Sequence, residues 1–283
     1  MRRGWLRRGT IGRMDLSVVI PVRNESGNIA PLVAEIVTAL NGRLAYEIVY
    51  VDDGSEDATT AEIRRLQADL PLLGLVRHAK SCGQSAAIRS GVTAARGRWI
   101  ATLDGDGQND PADILALWHI ARTIVSEGSV DDGAAPPALL IVGHRARRRD
   151  SWSKRQASRI ANAVRGRLLR DDTPDTGCGL KLFPRRLFLD LPYFDHMHRF
   201  LPALVLREGG TVRSVPVNHR LRQRGISKYG VFDRLGVGIT DLLGVMWLRR
   251  RYAKPILIEA EIRPSQRQVE GIEQRAEQRE PAL

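Results

Sequence analysis

Asp104 and Asp106 stand one residue apart in DGDGQNDP (Asp104–Pro111), with the amide of Gln108 two residues further on. Oxygen ligands at that spacing can converge on one hard divalent cation. Magnesium or manganese held by so few carboxylates fills the rest of its shell with water and substrate phosphates, which makes a diphosphate the natural companion. An EF-hand also begins D-x-D-G, but its twelfth loop position must be Glu and here it is Leu115. A second acidic group, DDGSED (Asp52–Asp57), puts Asp53 where a carboxylate could accept hydrogen bonds from a ribose hydroxyl or a base N–H, and Asp57 where it could cap a helix. Asn24 and Glu25 follow the apolar run LSVVIPV. The chain has no G-x-G-x-x-G and no G-x-x-x-x-G-K-[ST], which argues against a dinucleotide site and a P-loop. His78, His196, His198 and His219 match no zinc spacing, so hydrogen-bonding or surface roles are expected of them. Cys82 and Cys178 lie in glycine-bearing loops without an evident activating partner, which favours packing over thiol chemistry.

Apolar strands alternating with helices must position these groups. Strands are expected at Leu16–Val22, Tyr46–Val51, Leu72–Arg77, Trp99–Leu103 and Ala138–Val142. Helices are expected at Asn28–Leu40, about Ala58–Leu70, Gln84–Arg96 and Ile114–Ser126. That alternation implies β-α-β units and a mostly parallel sheet with helices on both faces. Each strand runs into polar sequence, and ligands of open α/β sheets bind beyond the carboxyl ends of the strands, so five polar ends in a row mark one edge as the site. After Gly143 the pattern changes. A basic helix (about Ser153–Leu169), a turn-rich loop (DDTPDTGCG), a strand at 212–217 and a basic loop at 218–230 precede an apolar segment, Val231–Leu248, that ends in three arginines.

The 283 residues carry 44 Lys+Arg and 32 Asp+Glu, a net charge of +12, and the excess is segregated into residues 1–13, 141–170 and 220–254. Such clusters can meet nucleic acid or an anionic membrane surface equally well. A nucleic-acid-binding protein has no use for acidic loops at strand ends, and the chain carries no nucleic-acid-binding motif. Two cysteines exclude a disulfide scaffold and suit a reducing compartment. The basic start lacks the apolar stretch of a secretory signal, and no apolar run reaches the ~18–20 residues of a membrane span. A soluble protein, or one seated on a membrane surface, is expected.

IPVRNESGNI, YVDDGSEDAT, CGQSAAIRSG and LDGDGQNDP together resemble the nucleotide-sugar half of family 2 glycosyltransferases with the GT-A fold. GHRARRR, KRQASRIAN, TGCGLKLF, VPVNHRLRQRGISKYG and the apolar segment near the end resemble the dolichol-phosphate mannose synthase type, which moves a sugar from a nucleotide donor to a polyprenyl phosphate. RHAKSCGQSAA, DTGCGLK and HRFLPAL look most like bacterial dodecaprenyl-phosphate galacturonate synthases. The resemblance covers residues 15–252. It implies nucleotide-sugar contacts at Pro21, Asn24, Glu25, Asp53, Gly83 and Asp104, and a Mg²⁺ or Mn²⁺ site at Asp104, Asp106 and Gln108. It implies acceptor-phosphate contacts at Arg145, Lys154, Arg155, Ser158, Arg222, Ser227 and Lys228, with Asp106 and Arg145 closest to catalysis. Gly107, Asn109, Cys178 and Leu180 depart from the family's commoner residues. The pair of hydrophobic C-terminal spans of the membrane-integral subtype is not seen.

The implied reaction is an inverting transfer from a UDP- or GDP-linked sugar, mannose or galacturonic acid, to a polyprenyl phosphate. The alternative is a soluble or polysaccharide acceptor. A prenyl phosphate is already a competent nucleophile, so the site must chiefly hold two anionic phosphates together, with a cation on the donor side and Arg/Lys on the acceptor side. The expected layout is a basic extension (1–14), a GT-A domain (15–230, with a nucleotide-sugar half 15–143 and an acceptor half 144–230), an amphipathic membrane-proximal helix (231–252) and a disordered tail (253–283). The expected location is peripheral, at the cytoplasmic face of a membrane.

Overall fold

The computed structural model describes residues 14–127, 137–145, 165–221 and 233–253. Within them β1 (Leu16–Val22), β2 (Tyr46–Asp52), β3 (Leu73–Arg77) and β4 (Trp99–Thr102) pair in parallel, in the spatial order β3-β2-β1-β4. β1 and β2 are buried along almost their whole length, which is why LSVVIPV and YEIVYVD read as continuous apolar runs without strict alternation. The helices between them are α1 (Ile29–Leu40), α2 (Thr59–Gln67), α3 (Gln84–Ala94) and α4 (Asp113–Glu127). Leu16, Val18 and Ile20 pack with Ile36 of α1, Ile63 of α2 and Leu117 of α4 on one face. Val19, Val49 and Val51 pack with Ala87, Ile88 and Val92 of α3 on the other.

The second half corrects the expected run of five neighbouring strand ends. β5 (Leu139–Arg145) does not adjoin β4. A short strand, β6 (Lys181–Pro184), lies between them and is antiparallel to both, with Lys181 opposite Thr102 and Val142. Four residues emerging from a turn-rich loop carry too little periodicity to be read as a strand. Being antiparallel, β6 enters the sheet at the edge where the parallel strands end, and so delivers the TGCG loop there. β7 (Thr211–Val217) runs parallel to β5 at the sheet's margin, and its end brings 218–220 to the same edge.

Two short helices and a 3₁₀ turn in the second half were not expected from the sequence. α5 (Arg185–Asp190), a 3₁₀ turn (Met197–Arg199) and α6 (Leu201–Arg207) join α3 on its face of the sheet. α7 (Asp233–Arg250) covers most of the apolar segment and runs two residues past its end. Val245 is buried and Leu242 and Met246 are packed against the same core, while Ile239, Leu243 and Trp247 are 54%, 60% and 59% exposed. One side of this helix is therefore ordinary core and the other an exposed apolar stripe at i, i+4, i+8. The chain's contacts divide after Arg250. Of the expected basic helix, residues 165–169 are described and helical; its earlier part, the extension 1–13 and the tail from 254 lie outside the described residues. No helix among the described residues is long and apolar enough to cross a membrane.

Candidate active site

The ends of β1, β2 and β3 are stitched into one rim. Asn24, at φ +52°, donates its backbone N–H to Ser55 Oγ (2.9 Å), and its side-chain oxygen accepts from Glu56 N–H (2.8 Å). Glu25 N–H donates to Thr59 Oγ1 (2.9 Å), and the Glu25 carboxylate accepts from Asn28 (2.7 Å). Asp57 accepts from Thr59 N–H and Ser26 N–H, although the position preceding α2 is Ala58, one residue later than the cap expected at Asp57. Pro21, within β1, is partly exposed at this end of the sheet.

Asp53 accepts four hydrogen bonds: from His78 Nδ1 (2.7 Å) and Cys82 N–H (2.8 Å) on one oxygen, and from Ser81 Oγ (2.7 Å) and Gly83 N–H (3.0 Å) on the other. That fills the acceptor capacity of a carboxylate. Burial raises its pKa, but these hydrogen bonds outweigh burial and hold it below the ordinary value. Asp53 thus braces the loop 78–83, including Gly83 at the start of α3. Gly54, at φ +69°, is required beside it, because a Cβ there would lie 2.6 Å from Ser81 N. Asp53, His78 and Cys82 bring ligand atoms within 4.8 Å of one another. Both His78 nitrogens are engaged, the second with Ser90 Oγ at 2.9 Å, so the cluster is held as a hydrogen-bonded brace.

The D-x-D segment leaves β4 into a turn held from three sides. Asp104 N–H donates to Asn109 Oδ1 (3.3 Å), Gln84 Nε2 donates to Asp104 Oδ1 (3.1 Å), and Gln108 N–H donates to Asp106 Oδ1 (3.1 Å). Gln108 Nε2 donates to the Arg220 carbonyl (3.3 Å), which leaves Oε1 as the end of that amide available to a cation. Arg220 N–H returns a bond to the Gln108 carbonyl, Asn109 bridges to His219, and the Arg220 guanidinium pairs with Asp110 (2.9 Å) and Glu35 (2.6 Å). The D-x-D turn is thereby tied to the start of the basic loop after β7. Burial first, and then repulsion from Asp106, push the Asp104 carboxyl up to about 6, against the pull of Lys181 and Arg145. Two oxygen donors in mutual repulsion, with an amide oxygen beside them, suit a hard divalent cation.

Arg145 ends β5 and reaches the same space. Its Nε and Nη2 donate to the two oxygens of Asp175 at 2.7 and 2.8 Å, a bidentate pair that fixes the plane of the guanidinium. Asp175 belongs to the loop before β6, which Arg165 holds from the other side through Thr176, Thr173 and Asp171. Gly179 follows in that loop. A Cβ there would overlap the Asp104 carboxylate, so only glycine lets the loop pass over the D-x-D turn. Thr102 Oγ1 secures it by donating to the Gly179 carbonyl (2.7 Å).

Asp104 and Arg145 therefore face one cavity of about 540 Å³, with Gln84, Lys181, His198 and Arg199 among its walls. Lys181 and His198 are not legible as site residues from spacing, although both stand inside sequence blocks that drew attention as motifs. Cys178 is buried beneath this loop, and burial raises its thiol pKa, in keeping with packing. His196 pairs with Asp241 of α7 at 3.1 Å. Lys154, Arg155, Ser158, Arg222, Ser227 and Lys228 lie outside the described residues.

A family model described as "Glycosyl transferase family 2" matches residues 17–191, more than half of the chain. The chain belongs to glycosyl transferase family 2. Among similar proteins of this family is a dodecaprenyl-phosphate galacturonate synthase of Rhizobium johnstonii. It is 35% identical over 256 residues, which are 88% of this chain and 72% of that protein. An undecaprenyl-phosphate 4-deoxy-4-formamido-L-arabinose transferase of Edwardsiella ictaluri is 33% identical over 226 residues, 78% of this chain and 65% of that protein. The family 2 chain thus spans between about two thirds and three quarters of these relatives. Its fold is shared with glucosyl-3-phosphoglycerate synthase of Mycobacterium tuberculosis, crystallised with UDP, at a TM-score of 0.57 and 19% identity over 90% of this chain and 87% of that one. The same enzyme has been crystallised with Mn²⁺, UDP and phosphoglyceric acid (TM-score 0.56, 19% identity, covering 88% and 86%). The fold is the GT-A type expected from the sequence.

Proposed function

We propose that this family 2 glycosyltransferase transfers a sugar, with inversion, from a nucleotide-sugar donor to the phosphate of a polyprenyl phosphate. The observation that carries the reading is the single cavity faced by Asp104 on one side and the Asp175-held Arg145 on the other. An acidic wall suits the cation-bound diphosphate of a donor, and a basic wall suits a second phosphate. The named relatives act on polyprenyl phosphates, which supports the same acceptor here. Asp104, Asp106 and Gln108 would hold Mg²⁺ or Mn²⁺, which when bound neutralises charge on the departing diphosphate.

The chain's own residues supply orientation and charge. An acceptor phosphate oxygen attacks the anomeric carbon as the bond from that carbon to the diphosphate oxygen breaks, and the nucleoside diphosphate leaves. A dianionic phosphate needs no strong base to attack. Arg145 would orient that phosphate and lessen its repulsion from the donor, with Lys154, Arg155, Ser158, Arg222, Ser227 and Lys228 as further contacts. Pro21, Asn24, Glu25 and Gly83 line the rim at which the nucleotide would sit, with Asp53 holding that rim in shape. UDP and GDP both remain within this reading, as do mannose and galacturonic acid.

A long isoprenoid leaves a bilayer at a cost of ~0.8 kcal/mol per CH₂, so the enzyme must go to the membrane. The exposed Ile239, Leu243 and Trp247 on α7, followed by Arg249–Arg251, support a peripheral seat on an anionic surface, at the cytoplasmic face. The test is incubation of the purified protein with Mg²⁺, undecaprenyl phosphate and a panel of UDP- and GDP-linked sugars, with lipid products identified by mass. A glycosyl prenyl phosphate is expected. Transfer to a soluble glycan acceptor in its place would contradict the reading.

A further inference from the structure

One wall of the cavity holds two groups that the roles above leave unused. Lys181, the first residue of β6, lines the cavity yet is only 4% exposed. Its ammonium donates to the Cys178 carbonyl. Asp104 and Asp175 act on it through space, but among the described residues none forms a salt bridge with it. A buried ammonium without a paired anion is costly in a folded protein. Arg145 differs, because Asp175 already supplies its countercharge.

His198, in the 3₁₀ turn, lines the same cavity. The Ser85 hydroxyl oxygen accepts from the His198 backbone N–H (3.3 Å) and lies 2.7 Å from His198 Nδ1, within reach for its own proton to be donated there. With the hydroxyl donating to Nδ1, the ring proton sits on Nε2. Among the described residues Nε2 has no partner, and it is not sealed from the cavity. The imidazole is neutral: burial, then the positive charges of Lys181, Arg199 and His196, hold its pKa well below the ordinary value. The wall therefore offers the Lys181 amine head, whose pKa burial holds below its ordinary value, and a neutral ring nitrogen of His198.

We infer that Lys181 and His198 Nε2–H form an oxyanion subsite filled by the substrates, taking either a carboxylate on the transferred sugar or a phosphate oxygen of donor or acceptor. The inference rests on the glycosyltransferase reading. Ser85 is a positioning residue within it, acting through the His198 tautomer.

The experiment is isothermal titration of the full chain in Mg²⁺ with UDP, UDP-galactose, UDP-galacturonate and farnesyl phosphate. The proteins are the wild type, Lys181→Met, Lys181→Arg, His198→Asn and Ser85→Ala. At least one anionic probe is expected to bind tenfold or more weakly to Lys181→Met and His198→Asn, with partial recovery in Lys181→Arg. A loss confined to UDP-galacturonate assigns the subsite to a sugar carboxylate. A loss confined to farnesyl phosphate assigns it to the acceptor phosphate, and a loss already present with UDP assigns it to the donor diphosphate. Should Lys181→Met fail to fold, His198→Asn and Ser85→Ala give the same reading without removing a buried charge. Imidazole ¹⁵N shifts supply the readout that a structural role would not move: the Nε2–H tautomer in the wild type, its loss in Ser85→Ala, and an Nε2 shift on probe binding. Unchanged affinities for every probe in folded variants would overturn the subsite alone. If the wild type binds none of the probes, farnesyl phosphate included, the reading of a prenyl-phosphate acceptor falls, and the subsite with it.

Discussion

Asp104 is a carboxylate placed where its charge is disfavoured, and that has a measurable sign. Its folded pKa of about 6 lies above the ordinary 3.8, so the native state keeps a proton that the unfolded chain has already released. Stability of the metal-free protein therefore falls as pH rises from about 4 to about 6, and the deficit persists above that. Asp104→Asn should stabilise the protein at pH 7.5 in chelator by about 2–3 kcal/mol and leave it unchanged near pH 4. Denaturant melts at the two pH values check this, and an equal effect at both would contradict it. Asp106→Ala should lower turnover at least a hundredfold, about 3 kcal/mol in the barrier, with an unchanged melting temperature. Full turnover in that variant, or in excess chelator, would remove the metal assignment. The D-x-D pair was legible because its spacing is local. Asp175, Lys181 and His198 were not, because their significance depends on partners 30 to 113 positions away: Asp175 on Arg145, and His198 on Ser85.

At the scale of elements, β6 decides the site. It turns the sheet antiparallel for one strand and so brings the 171–180 loop over the D-x-D turn, with Asp175 against Arg145. The first four strands and helices could be read because parallel, doubly covered strands are long apolar runs with polar ends. KLFP, four residues ending in proline, offers no such signal, and Lys181 at its start looks like any surface lysine. Arg145→Ala removes charge-assisted hydrogen bonds worth ~1.5–3 kcal/mol, so the acceptor KM should rise by about 10- to 100-fold while donor affinity stays put. Asp175→Asn should shift the same constant by less, since the guanidinium remains but is less firmly aimed. Steady-state kinetics with each substrate varied in turn separate these effects. Equal losses for donor and acceptor would place Arg145 on the donor side.

The whole molecule combines a net charge of +12 with one helix whose outer side is apolar. Composition could not choose between nucleic acid and a membrane, and it was the placement of α7, half packed and half exposed, that favours the membrane. Replacement of Ile239, Leu243 and Trp247 together by Gln should reduce co-sedimentation with anionic vesicles at least fivefold without unfolding the core, because the packed residues Leu242, Val245 and Met246 are untouched. Wild-type binding should weaken in high salt, since attraction to headgroups is screened over ~8 Å at physiological ionic strength. Intact wild-type protein left in the supernatant at low salt would contradict a membrane seat. The central claim, transfer to a prenyl phosphate, is tested most directly by measuring nucleoside diphosphate release with and without undecaprenyl phosphate while counting the glycolipid formed. The account predicts release that depends on the prenyl phosphate and matches the glycolipid one to one. Release at the same rate without prenyl phosphate, or with sugar appearing on water or a soluble glycan, would contradict it.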